Sequence, residues 1–400
     1  MTDKSGSSAA ALDLGTKVIM LMGGGLSALA MVGITSVLPA IDTALAHSAT
    51  DSLLVKQLAG GVGFAMALGS LAAGFLVERA GMRRILLIAA LLYVVAGTAG
   101  LYLSDLRLLL ASRVALGLAA STIQVTALVL INTRLEAAAR ARWMGLHIAV
   151  AMACTILGQP IAGFLGNHGW RWPFALYGIG ICILPIVLRY REAPPVATAR
   201  VDRAGQAGVE KLPGFWRDFP FHYLLLGPLV GSIIFLPMVY APFLMRQLGV
   251  STPSTIALIL TADSIIGAIM ASQYGWARKR MSHHGAFALS FATAAAGTLI
   301  AGFSTGVAGI IAGMIVYGFG AGWFVPNLLT ALGEKLGPAR QARALGLVKS
   351  AHFLSGPIAL LAMEPVARHF GPQAALLAVS GLSFMLLVAV VIRSRLAPGR

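Results

Sequence analysis

The sequence predicts an all-α integral membrane protein whose twelve transmembrane helices divide six plus six. Three observations carry this. Apolar residues make up 58% of the 400 residues and charged residues 11%, with a mean hydropathy of +0.83. That is too apolar for a soluble domain and too long for a single anchor. Runs of about 20 apolar residues, the length that crosses a hydrocarbon core, recur roughly twelve times. The third observation is that the loops between them alternate between strongly basic and weakly charged.

In chain order, residues 1–17 are polar and small, carry no signal-peptide pattern, and read as a cytoplasmic tail. The first six spans are expected near 18–40, 58–77, 85–103, 108–131, 143–165 and 174–188, within a bundle covering 18–190. Residues 191–220 hold mixed charge and Pro194-Pro195 and read as a flexible cytoplasmic linker, with an amphipathic piece at 215–219. The second six spans follow near 221–244, 255–276, 287–303, 307–329, 344–367 and 374–392, in a bundle covering 221–392 with a short tail at 393–400. Each span is expected to be helical, because backbone polar groups in lipid must be satisfied within their own segment.

The basic residues orient the spans. With the N-terminus inside, 23 of the 30 Lys and Arg fall on inner loops and tails, and five fall outside: Lys56, Arg107, Arg171, Arg246 and Arg368. Arg113 and Lys349 remain within spans. This bias puts both termini in the cytoplasm, as in a bacterial-type inner membrane. The net charge of +16 is therefore a topology signal rather than a mark of nucleic-acid binding. Cys154 and Cys182 both lie in apolar segments, which argues against a disulfide or a cysteine metal site. No Walker-type phosphate loop occurs, and single scattered histidines supply no clustered catalytic set, so an enzyme is not expected.

The densest charge lies in GFLVERAGMRR at 74–84, between spans two and three. Charge on that scale marks a membrane surface, and Gly81 is suited to a tight reversal with positive φ. Arg278-Lys279-Arg280 follows span eight as this run follows span two, a partial repeat of the first half in the second.

Three local signatures resemble those of the major facilitator superfamily, and the layout does so over essentially the whole chain. Gly74, Glu78, Arg79, Gly81, Arg83 and Arg84 resemble its loop motif G-x-x-x-D-R-x-G-R-R, with Glu78 for the usual Asp and Met82 for the first closing basic residue. Arg113 with Gly117 is similar to the fourth-helix motif R-x-x-Q-G, with Leu116 in place of Gln. Gly158, Gln159, Pro160 and Gly163 resemble a relaxed form of the antiporter motif G-P-x-x-G-G, followed by WRWPF at 170–174. The resemblance implies two pseudo-symmetric six-helix bundles around a central cavity, opened to either side in turn by rocking. It points nearest to the twelve-span drug:proton antiporters, and it gives the 74–84 loop a gating role in which Glu78 meets the start of span eleven near Ala344.

Candidate transport residues are those too polar for lipid. Arg113 lies about 10 Å along its helix from the nearer end, and the resemblance implies a part in proton coupling. Gln124, eleven residues on, falls on the same stripe. Asp263 is the acid well inside an apolar span, about 12 Å in, and is the expected proton-coupling or cargo-recognising carboxylate, attracted to Arg113 or to a cationic cargo. Met270 and Tyr274 share its stripe. Span ten, which borders the cavity by resemblance, offers Tyr317, Phe324 and Asn327, and span seven offers Tyr240. Lys349 is expected to snorkel, His147 and His352 to be structural, Asp42 to sit near the cavity mouth, and Glu364 to pair with Arg368 at i,i+4. The reading that follows is a monomeric, proton-coupled exporter of a small amphiphilic organic compound, with the proton gradient as its energy source and no cofactor or metal. Proton-coupled uptake of an organic anion or chelator-type metabolite is the alternative.

Overall fold

A computed structural model describes residues 13–190, 219–336 and 338–396. The linker and both tails of the expected organisation lie largely outside these residues. Among the described residues, twelve helical segments are long and apolar enough to cross a membrane, and there is no strand.

Thirteen α-helices among the described residues build the spans. The first bundle holds α1 (Leu14–Val32), α2 (Leu38–Leu45), α3 (Ala49–Ala80), α4 (Met82–Thr98), α5 (Leu106–Arg134), α6 (Ala137–Gly166) and α7 (Leu184–Arg189). The second holds α8 (Phe221–Gln247), α9 (Pro253–Arg278), α10 (His283–Gly302), α11 (Val307–Gly333), α12 (Pro338–Phe370) and α13 (Pro372–Leu396). Helix starts follow from side chains that satisfy free backbone N–H groups. Ser48 accepts from the N–H of Asp51, Asp105 from those of Arg107 and Leu108, and Ser282 from that of Gly285. Between α3 and α4, Gly81 takes φ +80° and its N–H closes on the Val77 carbonyl at 3.1 Å. A side chain at that position would be strained, so the sharp turn of the arginine loop depends on glycine.

Two spans are not single α-helices. The first breaks after Val32 into a 3-10 turn (Thr35–Val37) and then α2, where Pro39 lacks the N–H that a continuous helix would use. The sixth runs as a 3-10 helix over Trp172–Ile183 before α7, with prolines at the start of both pieces. The second span begins at Ala49 rather than near 58. Lys56, read from sequence as a loop residue, therefore lies inside α3.

Pairings within the bundles repeat. In the first, α1 packs on α6, α3 on α5, and α4 on the 3-10 helix of span six; in the second, α8 packs on α12, α9 on α11, and α10 on α13. Spans 1, 2 and 3 thus pair with 5, 4 and 6 as spans 7, 8 and 9 pair with 11, 10 and 12. The bundles meet through α3 on α12 and α6 on α9. These two contacts exchange when the halves are exchanged, which is the pseudo-two-fold relation expected of such a fold. This closeness needs small residues at the crossing. A Cβ at Gly163 of α6 would lie 2.8 Å from the Pro253 carbonyl and collide with the Ala257 side chain of α9.

Candidate functional site

Between the bundles lies a cavity of 360 Å³, walled by α1, α5 and α6 of the first and by Lys349 of α12 from the second. Its polar groups are Gln124, Asn132, His147, Thr155 and Lys349, set among Leu128, Met144, Ile148 and Met152. The residues reach from mid-span to Asn132 and Met144, within a turn of Arg134 and Arg142 near the facing ends of α5 and α6. The cavity thus extends toward the end of the protein that bears the arginine loop, here called the basic end.

Each side chain has a local reason for its place. The Nδ1 of His147 lies 2.7 Å from the Met20 carbonyl, an acceptor, so Nδ1 carries a proton and the neutral ring keeps Nε2 as an acceptor. Gln124 and Asn132 lie two turns apart on α5 with Leu128 between them, so one stripe supplies two amides to the wall. Lys349 is exposed although it sits within a span, because its side chain stands in the cavity wall. It is the cation among the wall residues, and the wall holds no carboxylate. A cationic, amide-bearing and otherwise apolar wall complements a small molecule with an anionic group and an apolar body.

At the opposite end the bundles are joined. Lys56 Nζ donates to both carboxylate oxygens of Glu364 at 2.8 and 2.7 Å, and the Tyr240 hydroxyl donates to Oε2 at 3.1 Å. Gln57 donates to the Pro357 carbonyl, Asn167 and Ser254 exchange two hydrogen bonds, and the Arg246 guanidinium donates to the Pro39 carbonyl. Gln159 accepts from Thr261 and Ser264 at 3.5 Å each. The 158–163 motif therefore acts at the contact between bundles, where Gln159 bonds α9 and Gly163 admits it. Glu364, expected to pair with Arg368 one turn along, instead bonds a residue of the other bundle. A nearby ammonium desolvated with it outweighs an exposed i,i+4 neighbour.

Several expected wall residues lie elsewhere. Arg113 is fully buried in the first bundle, with Nη2 on the Ala96 and Gly97 carbonyls at 2.7 and 2.8 Å. Its guanidinium stacks 4.8 Å from the ring of Phe174, the last residue of the WRWPF signature, and 5.0 Å from that of Tyr177 beyond it. It does not line the cavity and it is not brought to Asp263. Asp263 stands on α9 against Gly318 of α11, with a buried Oδ1 that has no hydrogen-bond partner. Tyr317 is buried with its hydroxyl on the Ile233 carbonyl, and Phe324 is buried against Phe291. The Met270 carbonyl accepts from Trp323 at 2.6 Å. Tyr274 and Asn327 belong to a polar knot at the basic end. There Asn327 Oδ1 bonds the Tyr274 hydroxyl at 2.9 Å and His283 Nδ1 at 2.7 Å, and Glu334 bonds His283 Nε2 and Arg278. The residues that the sequence reading did not assign are Asn132, His147 and Lys349 for the cavity and Lys56 for the far end. Lys349 was visible as a lysine inside an apolar span. In the arginine loop, Arg83 Nη2 donates to the Leu188 carbonyl at 2.6 Å, tying α4 to α7. The Glu78 side chain, on which the expected gate contact rests, lies outside the described ones.

A family model described as Major Facilitator Superfamily matches residues 20–253 and 230–400. Similar solved structures include a D-xylose-proton symporter, at TM-score 0.76 and 17% identity over 94% of this chain and 96% of that chain. They also include the nucleoside transporter NupG, at 0.75 and 12% over 94% and 98%, and the inward-open xylose transporter XylE from E. coli, at 0.74 and 13% over 94% and 95%. At these identities the likeness is one of fold. A search of curated proteins returns no match.

Proposed function

The chain belongs to the major facilitator superfamily and is a transporter rather than an enzyme, and on that premise we propose that it carries a small amphiphilic organic anion through the cavity between its bundles. The observation that supports this reading is the position of Lys349, exposed in a wall otherwise built from Gln124, Asn132, His147, methionines and aliphatic side chains. An ammonium in a half-apolar cavity recognises a carboxylate or a similar group, and the methionines adapt to varied apolar bodies.

The loop-charge bias puts the basic end in the cytoplasm. The cavity reaches that end while the far end is joined, so cargo loads from the cytoplasm, as an exporter requires. Proton exchange supplies the drive, and Asp263 is the carboxyl proposed to carry the proton, because an unpartnered carboxyl within a span gains or loses charge as its surroundings change. Uptake of the same anion together with protons is the alternative, a different coupling in which anion and proton cross in the same direction.

Flux of candidate organic anions in proteoliposomes under an imposed pH gradient tests the reading. Lys349→Gln should weaken anion binding without abolishing the fold, and Asp263→Asn should remove gradient-driven flux while leaving exchange at equilibrium. Undiminished anion binding in Lys349→Gln sinks the cargo assignment. Undiminished gradient-driven flux in Asp263→Asn sinks the coupling assignment, and the sign of net flux decides between export and uptake.

A further inference from the structure

At the basic end of the second bundle, four helices bring basic side chains to one place outside the cavity. His222 lies in the first turn of α8, His284 in that of α10, Lys335 just past α11, and Arg393 in the last turn of α13. Packing gathers them, because α13 lies against both α8 and α10, and α10 lies against α11. The Lys335 ammonium stands 5.6 Å from the centre of the Tyr223 ring, and the Tyr223 and His222 rings are 4.3 Å apart. His222 is within reach of the charges of Arg393, Lys335 and His284, and His284 of those of Arg393 and Lys335. All four side chains are exposed.

Among the described residues, none of the four is paired with a carboxylate. Glu334, next to Lys335, is held instead by His283 and Arg278. Like charges gathered from separate helices repel, and a bound anion removes that cost. No side chain caps the start of α8, so the positive end of that helix adds to the field. Loop charge that only sets topology needs number, not convergence. The depth is also informative: His222 and Arg393 lie at the ends of membrane-spanning segments, where lipid headgroups stand. Toward the membrane centre the surface turns apolar. Leu225, one turn on from His222, is exposed, as are Val388 and Ile392 on the approach to Arg393.

We propose that this cluster binds the phosphate of an anionic phospholipid from the leaflet at the basic end, with its acyl chains laid along α8 and α13. Lys335 and Arg393 neutralise the phosphate, and the two imidazoles add N–H donors to its oxygens. One headgroup then ties the ends of four helices, so the basic end of the second bundle is held together by its membrane. The ligand comes from the bilayer and not through the cavity, so the inference holds for any cargo.

The test uses the full chain in dodecyl maltoside with equal amounts of dioleoylphosphatidylglycerol and dioleoylphosphatidylcholine. Native mass spectrometry counts the lipids retained. One phosphatidylglycerol should be kept in preference to phosphatidylcholine by about tenfold or more. The double variant Lys335→Gln, Arg393→Gln should lose that preference. The double variant Lys279→Gln, Arg395→Gln removes equal charge from exposed positions at the same end. It should keep the preference, because Arg395 lies round the helix from Arg393 and Lys279 follows α9. Phosphatidylglycerol should raise the melting temperature of the parent and of this control, but not of the cluster variant. Glycerol 3-phosphate at millimolar concentration should not displace the lipid. Equal retention of the two lipids by the parent overturns the proposal. So do equal losses in the two double variants, which would mark a general attraction to the basic end. Displacement by glycerol 3-phosphate would assign the cluster to a soluble phosphate ester and overturn the lipid. Anion binding in Lys349→Gln is read separately, so failure here leaves the cargo reading intact.

Discussion

Lys56 and Glu364 stand 308 residues apart in the chain and meet at 2.7 Å, each from a different bundle and each almost out of reach of water. A desolvated ion pair of this kind contributes little net stability over an apolar pair of the same shape, while removing one partner is costly. Lys56→Met or Glu364→Leu alone should destabilise the closed state by about 3–5 kcal/mol, and the double variant should recover most of that loss. Thermal unfolding of the four proteins as a double-mutant cycle measures the coupling. Additive single losses would show that the pair is not a unit.

Lys349 carries the recognition proposed for the cavity. Lys349→Gln shortens the side chain by one atom and keeps a hydrogen-bond donor but removes the charge, so affinity for an anionic ligand should fall by about tenfold or more, which is about 1.4 kcal/mol. Lys349→Arg should retain more affinity than Gln, because the charge remains. Affinity of a neutral analogue should be nearly unchanged by either substitution, and calorimetric titration at fixed ionic strength checks all three.

How much of this was legible in the sequence depends on range. The spans were, because a bilayer fixes their length, and so was the turn at Gly81, because only a backbone free to take positive φ makes it. Lys56 was not. Asp51, Lys56 and Gln57 interrupt the hydropathy of the second span, so its first two turns read as loop. The partner of Glu364 was equally hidden, since the i,i+4 rule sees only Arg368 and nothing in the sequence ranks an ammonium from another bundle above it. Gln124 shows both sides of the matter. It was placed on one stripe with Arg113, and the stripe is real. Yet helices cross at angles, and a stripe that faces the cavity at Gln124 faces α4 and the 3-10 helix at Arg113. Tyr317 and Phe324 found partners inside their own bundle, whereas Tyr240 bonds Glu364 and turns its ring to Lys56 at the far end.

Gly163 marks the second contact between bundles. Its missing side chain lets α6 approach the Pro253 carbonyl and Ala257 on α9. Gly163→Val should hold these helices apart and shift the resting population away from the form closed at the far end. Hydrogen exchange at Asn167 and Ser254, which bond across the same seam, should speed up, and labels placed across that end should report greater separation. Unchanged exchange would mean that the contact carries no strain.

Arg113 joins α5 to α4 and to the 3-10 helix through two carbonyls and two rings, all in one bundle. A guanidinium donates from a planar fork and stacks on aromatic faces, and an ammonium does neither as well. Arg113→Lys should therefore cost about 1–3 kcal/mol of stability despite the kept charge. Thermal unfolding measures that loss, and ligand affinity at Lys349 should change by less than about twofold. A large loss of cargo affinity with unaltered stability would instead place Arg113 on the transport path.

Glu334, just past the end of α11, links His283 and Arg278 at the basic end. The hydrogen bond from His283, more than its charge and that of Arg278, holds this carboxyl below the usual glutamate value. A carboxyl lowered in the fold binds fewer protons there than in the unfolded chain, so stability rises with pH across its titration. Its contribution is complete above the ordinary value of about 4.3 and is lost as pH falls through the lowered one. Glu334→Gln should therefore flatten the fall in melting temperature between about pH 5 and pH 3, while His283→Ala should do so less, since Arg278 still faces the carboxylate. Parallel melting curves for the parent and Glu334→Gln over that range would show that the knot joining α9, α10 and α11 gains nothing from the charge.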